Sequence, residues 1–349
     1  MSTWYEKLDF DINPLDARPN PNLVGLDEEA ERLKNHIEKG ELCFLNGLTG
    51  SGKTSLLLKV QNELKRYKFI YLDAQDLPKD FNLEEELKEQ RNFFDRLTFR
   101  QFPRKKPILL IDEFQSTNPN LILEARGKWE SQDRKIKAVV IAQISKYLKN
   151  VSESFKDRLG NRIITLKPLD DFDMKKILEI RLHNKKNNIN YIKKFDENAL
   201  DLIIKVADGN ARRLLEYADI VFDFHHRSFH DINPVVKKDT YHINYHAVKE
   251  ILERDGISVA EFKKEIPIRK NAHFEDIFSP LQQRILEFLY EFDRVTVVGI
   301  AKRLKIAEST ARKSISALKK QNAVIATGLK RKRELLSVSP SVKRLMIRE

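Results

Sequence analysis

The apolar residues of this chain follow three patterns in turn. Between residues 41 and 166 they come as short continuous runs, at 41–45, 68–72, 108–111, 138–142 and 163–166. Runs of this length, bounded by charge, predict strands buried on both faces, as in a parallel sheet. Residues 27–39 carry Leu33, His36 and Ile37 at helical spacing behind an acidic first turn, and 54–67 follow a similar period; both predict helices. Strands alternating with helices predict an α/β sheet covered on both sides. From Pro168 onward only the helical period remains, at 170–183, 197–206 and 210–225, which predicts a small all-α domain.

Three prolines in residues 13–22 predict an extended lead-in. Residues 226–278 are polar and mixed, with Pro234, Pro267 and one predicted helix at 245–254, and read as a linker. A third pattern begins at Ser279-Pro280, a cap followed by proline at the first helical position. Leu281, Ile285, Phe288 and Leu289 form its apolar stripe. Helices at 297–304 (capped by Thr296) and 308–321 follow, then strands at 323–327 and 334–338 joined by residues 328–333. The predicted organisation is therefore a lead-in over 1–22, an α/β domain over 23–167, a helical domain over 168–225, a linker over 226–278 and a basic module over 279–349. There is no internal repeat and no low-complexity tract.

Composition narrows the class. Of 349 residues, 41% are hydrophobic and 33% charged, the profile of a charge-rich globular protein. No apolar run approaches the roughly 18 residues of a spanning helix, and the first ten residues lack the apolar stretch of a signal peptide. Cys43 is the one cysteine, so an intrachain disulfide and a cysteine zinc site are excluded. It reads as a small core residue. A reducing, cytoplasmic setting without membrane partners is the expectation. Charge is uneven: of the net +12, residues 279–349 hold +10, from 16 Lys and Arg against 6 Asp and Glu. That asymmetry predicts a module that meets a polyanion.

Glycine is scarce, 11 in the chain, yet three fall within Gly47-Leu48-Thr49-Gly50-Ser51-Gly52-Lys53-Thr54. This matches G-x-x-x-x-G-K-[ST] in full, after a predicted strand and before a predicted helix. Glycines let backbone N–H groups curl around phosphate oxygens, and the helix N-terminus adds its dipole. Residues 47–55, through Ser55, are the expected ATP-binding loop, with Lys53 on the β- and γ-phosphates and the Thr54 hydroxyl on Mg²⁺. The run 108–111 then delivers Asp112-Glu113 at the carboxyl end of a buried strand, where open α/β sheets bind ligands. Asp112 is expected to hold Mg²⁺ through water and Glu113 to orient and deprotonate the attacking water.

With these motifs the chain resembles the AAA+ ATPases over about residues 20–225. The resemblance implies an AAA+ P-loop parallel sheet followed by an all-α lid. It implies a polar sensor at Gln143, with Ser145 as runner-up, and an arginine finger at Arg158, with Arg162 as rival. Through that finger and the ATP site it implies a homo-oligomer. The stretch Asp208-Gly209-Asn210-Ala211-Arg212-Arg213 is similar to the lid pattern of archaeal origin-recognition initiators, which makes Arg212 the lid arginine. Residues 4–22 are also similar to the lead-in of transposition-helper and secretion-pathway ATPases.

The basic module, three helices and a β-hairpin, resembles a winged helix-turn-helix. If Ala311, Ile315 and Leu318 face its core, Ser309, Arg312, Lys313, Ser316, Lys319 and Lys320 face out. Lys330, Arg331, Lys332 and Arg333 sit at the hairpin tip. These are the expected contacts to double-stranded DNA. Six of eight histidines lie between His225 and His273, and His226/His230 and His242/His246 are four apart. Without an accompanying cysteine or H-E-x-x-H glutamate they read as surface or partly buried histidines rather than a metal site. The function expected is a slow, switch-like ATPase acting on double-stranded DNA, initiator-like and possible in replication initiation. The alternatives are a transposition- or secretion-type regulator, or a signalling scaffold, whose winged helix holds a protein.

Overall fold

The computed structural model describes residues 2–78, 80–114, 119–144, 159, 160, 162–229, 235, 242–259, 274–339, 342, 343 and 346. The chain forms two compact units: residues 18–167, and residues 168–349 together with 1–17.

In the first unit, helix α2 (Asp27–Lys39) begins with three acidic residues and stops at Gly40, whose φ is +73°. A Cβ there would approach Lys137 O at 3.1 Å, so the reversal into the sheet requires glycine. The sheet holds β1 (Leu42–Asn46), β2 (Phe69–Asp73), β3 (Ile108–Asp112), β4 (Ala138–Gln143) and β5 (Ile163–Thr165) in the order β2-β3-β4-β1-β5. Every pairing is parallel. The three central strands are buried at every position, as their unbroken apolar runs predict. The edge strands β2 and β5 alternate in burial, since each has one neighbour and a less covered face.

Helix α3 (Lys53–Glu63) ends a turn sooner than residue 67, because Leu64–Tyr67 close a turn that feeds β2. Between β2 and β3 lie α4 (Leu83–Glu89) and α5 (Phe93–Leu97), capped by Asn82 and by an Asn92/Asp95 box. Helix α6 (Pro119–Glu130) leads to β4.

The second unit starts differently from the extended lead-in expected over 1–22. Trp4–Lys7 form a helical turn, α1, capped by Thr3. The Trp4 ring stacks on Phe222 at 4.8 Å, and its Nε1 donates to Asp219 Oδ1 at 2.8 Å. The indole thus buries its face and keeps its donor satisfied. Leu8 and Leu15 enter the same core. That core belongs to α7 (Asp171–Arg181), α8 (Glu197–Ala207) and α9 (Ala211–Phe229). A short hairpin, β6 (His183–Asn184) with β7 (Ile189–Asn190), interrupts the helices, and a 3₁₀ turn, Tyr191–Lys194, follows it. Helix α10 (Tyr245–Arg254) has the predicted limits. Its Val248, Ile251 and Leu252 pack into the helical core, so residues 243–259 belong to that domain rather than to a linker.

The remainder is α11 (Phe274–Ile277), α12 (Pro280–Phe292), α13 (Val297–Leu304) and α14 (Glu308–Lys320), then β8 (Val324–Lys330) and β9 (Arg333–Val338). Ser279 N donates to Gln282 Oε1 at 2.9 Å, fixing the start of α12. Val295 bridges Leu336 and adds a third short strand. Ala311, Ile315 and Leu318 are buried in one core with Ile285, Leu289 and Ile300. This is a winged helix. Its wing is tighter than the six-residue connection expected. The strands run to Lys330 and from Arg333, leaving Arg331 and Lys332 as a two-residue turn with φ of +48° and +63°. No helix among the described residues is long and apolar enough to cross a membrane.

Candidate nucleotide-binding site and nucleic-acid face

The loop between β1 and α3 is shaped by three glycines. Gly50 and Gly52 take φ of +80° and +92°. Gly47 is closed in: a Cβ would lie 2.5 Å from Ser51 Oγ and 2.9 Å from Leu166 Cβ. Lys53, the first residue of α3, is only 5% exposed. Its Nζ donates to the carbonyls of Gly47 at 2.9 Å and Leu48 at 3.1 Å, so the ammonium lies inside the loop.

The carboxyl end of β3 meets this loop. Thr54 Oγ1 donates to Asp112 Oδ2 at 2.6 Å, and the Tyr71 hydroxyl donates to the same oxygen at 2.8 Å. Glu113 N donates to Asp112 Oδ1 at 2.9 Å. Burial, and then the Asp112 charge, push the Tyr71 hydroxyl well above its ordinary pKa, so it stays a donor. Glu113 has φ of +50°, a left-handed conformation that costs a non-glycine residue about 1–2 kcal/mol. Strain of this kind concentrates at functional sites. Its carboxylate accepts from Gln75 Nε2 at 3.4 Å.

Strand β4 lies between β1 and β3, and its last residue, Gln143, pairs in register with Asn46. Gln143 is therefore on the same sheet edge as the loop and Asp112. It is 2% exposed. Asn46, also buried, has an Oδ1 without a hydrogen-bond partner, as does Ser51 Oγ. These orphaned oxygens, the cradle at Gly47 and the Thr54–Asp112 pair fit a nucleotide with a hard cation. Mg²⁺ keeps most of its waters and needs few protein ligands. No cluster of three or more His, Cys, Asp or Glu occurs among the described residues, and this pair needs none.

Three residues of the site escape a motif reading: Asn46, Tyr71 and Gln75. Asn46 ends an apolar strand directly before the loop, and that position is the available signal. Tyr71 lies on β2 and Gln75 in the turn after it, a stretch that carries no motif. Arg158 and Ser145 lie outside the described residues. Arg162 donates from Nε to Leu159 O at 3.2 Å. Arg212 is exposed in the first turn of α9, whereas its neighbour Arg213 is 1% exposed. His226 contacts Ser2 O at 2.8 Å, His242 lies 3.8 Å from Asp196, and His225 is buried, which lowers its pKa. His230 is outside the described residues.

On the winged helix, Ser309, Arg312, Lys313, Ser316 and Lys320 share the exposed face of α14, and Lys330, Arg331, Lys332 and Arg333 are exposed at the wing. Two cations of this surface are engaged within the chain: Arg312 with Glu308 one turn earlier, and Lys319 with Glu334 at 2.6 Å.

Residues 39–175 match the sequence family described as AAA domain. This region resembles an AAA domain. The match spans the loop, Asp112-Glu113 and Gln143, with all five strands inside it. Among solved structures, Cdc6p from Pyrobaculum aerophilum matches with a TM-score of 0.52 at 14% identity, covering 97% of both chains. The Orc1 protein of Aeropyrum pernix, solved in complex with DNA, matches with 0.51 at 17% identity over 96% of each. RuvB of Thermotoga maritima, described as a Holliday junction branch migration motor, matches with 0.50 at 18% identity, over 93% of this chain and 95% of its own. No curated protein matches the chain. At these identities the likeness is one of fold. The resemblance to AAA+ ATPases of the origin-recognition group holds at that level.

Proposed function

We propose that this chain is an ATP-driven switch on double-stranded DNA: it binds ATP with Mg²⁺, hydrolyses it slowly, and uses its winged helix on the duplex in an initiator-like role in DNA replication. The observation that carries the reading is the convergence of Lys53, Thr54 and Asp112 around a loop with no room for a side chain at Gly47. In this reading Lys53 leaves the carbonyls of Gly47 and Leu48 for the β- and γ-phosphates. Backbone N–H groups of residues 50–55 surround the phosphate oxygens. Thr54 and Asp112 hold Mg²⁺, Asp112 through water, and the ion neutralises phosphate charge when bound. Tyr71 keeps the Asp112 carboxylate oriented. Glu113 accepts the proton of the attacking water, and Gln143 holds that water or the γ-phosphate. Arg158 completes the site of a neighbouring subunit, so the active form is a homo-oligomer, and Arg212 is the lid arginine. The setting is cytoplasmic.

The DNA part is supported by the exposure of Ser309, Arg312, Lys313, Ser316, Lys320 and the wing cations and by the net charge of residues 279–349. The test is duplex binding by the full chain with ATP and with ADP across a salt series. Absence of binding at about 50 mM salt with ATP, where cationic binders are strongest, would falsify it. One observation favours the alternative, a regulator or scaffold holding a protein partner. Arg312–Glu308 and Lys319–Glu334 leave a face of mixed charge, and salt-insensitive capture of a protein with no duplex affinity would support it.

A further inference from the structure

The lid and the winged helix have separate hydrophobic cores. A layer of polar side chains and a short strand contact join them. Ser258 N donates to Ala326 O at 2.9 Å, and Ile257 bridges Thr327, so the chain after α10 pairs with β8. Gly256 turns it there with φ of +75°, where a Cβ would lie 2.4 Å from Leu329 Cγ.

The polar layer has an order. From the lid come Asp208, just before α9, and Arg213 and Glu216 on it. From the winged helix come Lys343, Asp293 and Arg294. Lys343 pairs with Asp208 at 2.8 Å, Arg213 with Asp293, and Arg294 with Glu216. The lid thus presents minus, plus, minus, and the winged helix plus, minus, plus. Arg213 is wholly buried and also donates to Ser337 Oγ at 2.8 Å. That oxygen lies 3.1 Å from Thr327 Oγ1 and accepts from Arg294 N at 3.2 Å. The Tyr217 hydroxyl donates to Thr327 O at 3.3 Å. Arg213, Glu216 and Tyr217, at i, i+3 and i+4, share one face of α9.

An ion-pair layer of this kind contributes little net stability against an apolar interface, because desolvation cancels most of the attraction. It does select one arrangement. A slide or rotation by one position sets like charges opposite each other, which is strongly unfavourable in a poorly solvated contact. Arg213 also follows Arg212 directly, so adjacent residues of one helical turn face apart: Arg212 is exposed, and Arg213 is buried against the winged helix.

We propose that the alternating triad Asp208–Lys343, Arg213–Asp293 and Glu216–Arg294 is a clasp that locks the recognition helix α14 to the lid in one orientation, and so transmits the nucleotide state of the AAA domain to duplex affinity. The coupling rests on the ATP and DNA reading above; the clasp itself does not. The Glu216–Arg294 pair is the place to test it, since both side chains are about 30% exposed and tolerate exchange. Glu216→Arg puts two guanidiniums together; Glu216→Arg with Arg294→Glu restores the pair reversed.

Two measurements use the full chain. The first is the distance distribution between fluorophores at Lys205 on α8 and Gln321 after α14, both exposed; the native Cys43 is buried and does not compete for label. Wild type and the double exchange give one narrow distribution, and Glu216→Arg gives a broadened or shifted one. The second is the ratio of duplex Kd with ADP to that with ATP. It collapses toward one in Glu216→Arg, with ATP affinity unchanged, and returns in the double exchange. An unchanged distance distribution in Glu216→Arg, or failure of the reversed pair to restore it, overturns the clasp. A wild-type ratio of one overturns the coupling. Wild type that binds neither ATP nor duplex, with the distance still responding to Glu216→Arg, sinks the functional reading and leaves the clasp standing.

Discussion

In the function proposed above, two regions of this protein meet phosphate, and they do it by opposite means. The loop 47–54 uses one buried ammonium, backbone donors and a threonine hydroxyl fixed against Asp112. The winged helix uses many exposed cations on long side chains, with Arg331 and Lys332 at a turn where both φ are positive. Such turns normally take Asn-Gly. In the loop the cost of order is met on folding, so each part is indispensable and binding tolerates salt. At the wing, each contact must order a solvated side chain and release counterions, so affinity is a sum of small parts that salt erodes. Substitutions that break this contrast are ordered below by size.

The largest effect is expected in the loop. Glu113→Gln keeps ATP affinity and lowers hydrolysis about 100- to 10,000-fold, the worth of a positioned base. The amide still orients water but takes no proton. Single-turnover phosphate release measures it, and a wild-type rate removes Glu113 from that role. Lys53→Ala follows, weakening ATP by about 3 kcal/mol, roughly 100-fold in Kd, because its charged hydrogen bonds to phosphate have no substitute. Titration calorimetry at low and high salt separates the two modes: the wild-type Kd for ATP changes little, while that for duplex rises steeply with salt.

Removing all four tip charges, Lys330, Arg331, Lys332 and Arg333, acts through salt dependence. Each phosphate neutralised contributes about −0.9 to the slope of log K against log salt. The slope flattens by about two to four, and all sequences weaken alike. An unchanged slope means the wing faces something other than DNA.

The sequence made the loop more legible than the wing for the same reason. A rigid site needs particular residues at fixed spacing, and those leave a motif; a diffuse face needs only charge. The central strands were readable because burial on both faces leaves unbroken apolar runs at 108–111 and 138–142. Edge strand β2 is less so, and Tyr71 carries no signal because its role exists only once β2 lies beside β3 and its hydroxyl reaches Asp112. The N-terminal residues read as extended because Trp4 and Leu8 find their partners more than 170 residues away, at Phe222 and Asn184. Arg212 and Arg213 are indistinguishable as a dipeptide. The structure separates them because α9 turns one outward and buries the other beside Asp293.

The smallest effects concern base contact on α14, and they sharpen the comparison most. Arg312→Ala is expected to cost about 1–3 kcal/mol on a preferred site containing guanine and much less elsewhere. In the free protein Arg312 is held by Glu308, four residues earlier, an orientation that favours the pair. An exposed pair of this kind is worth about 0.3–0.5 kcal/mol, and Arg312 must give it up to reach a base. Glu308→Gln removes that competitor and one negative charge from the groove-facing surface. Duplex affinity should therefore rise about twofold, with no change in ATP affinity, and the gain should vanish in the Arg312→Ala background. The double-mutant cycle by fluorescence anisotropy at fixed salt reads this directly. If Glu308→Gln strengthens binding equally with and without Arg312, the effect is one of net charge alone, and Arg312 is a phosphate contact like those of the wing rather than a reader of sequence.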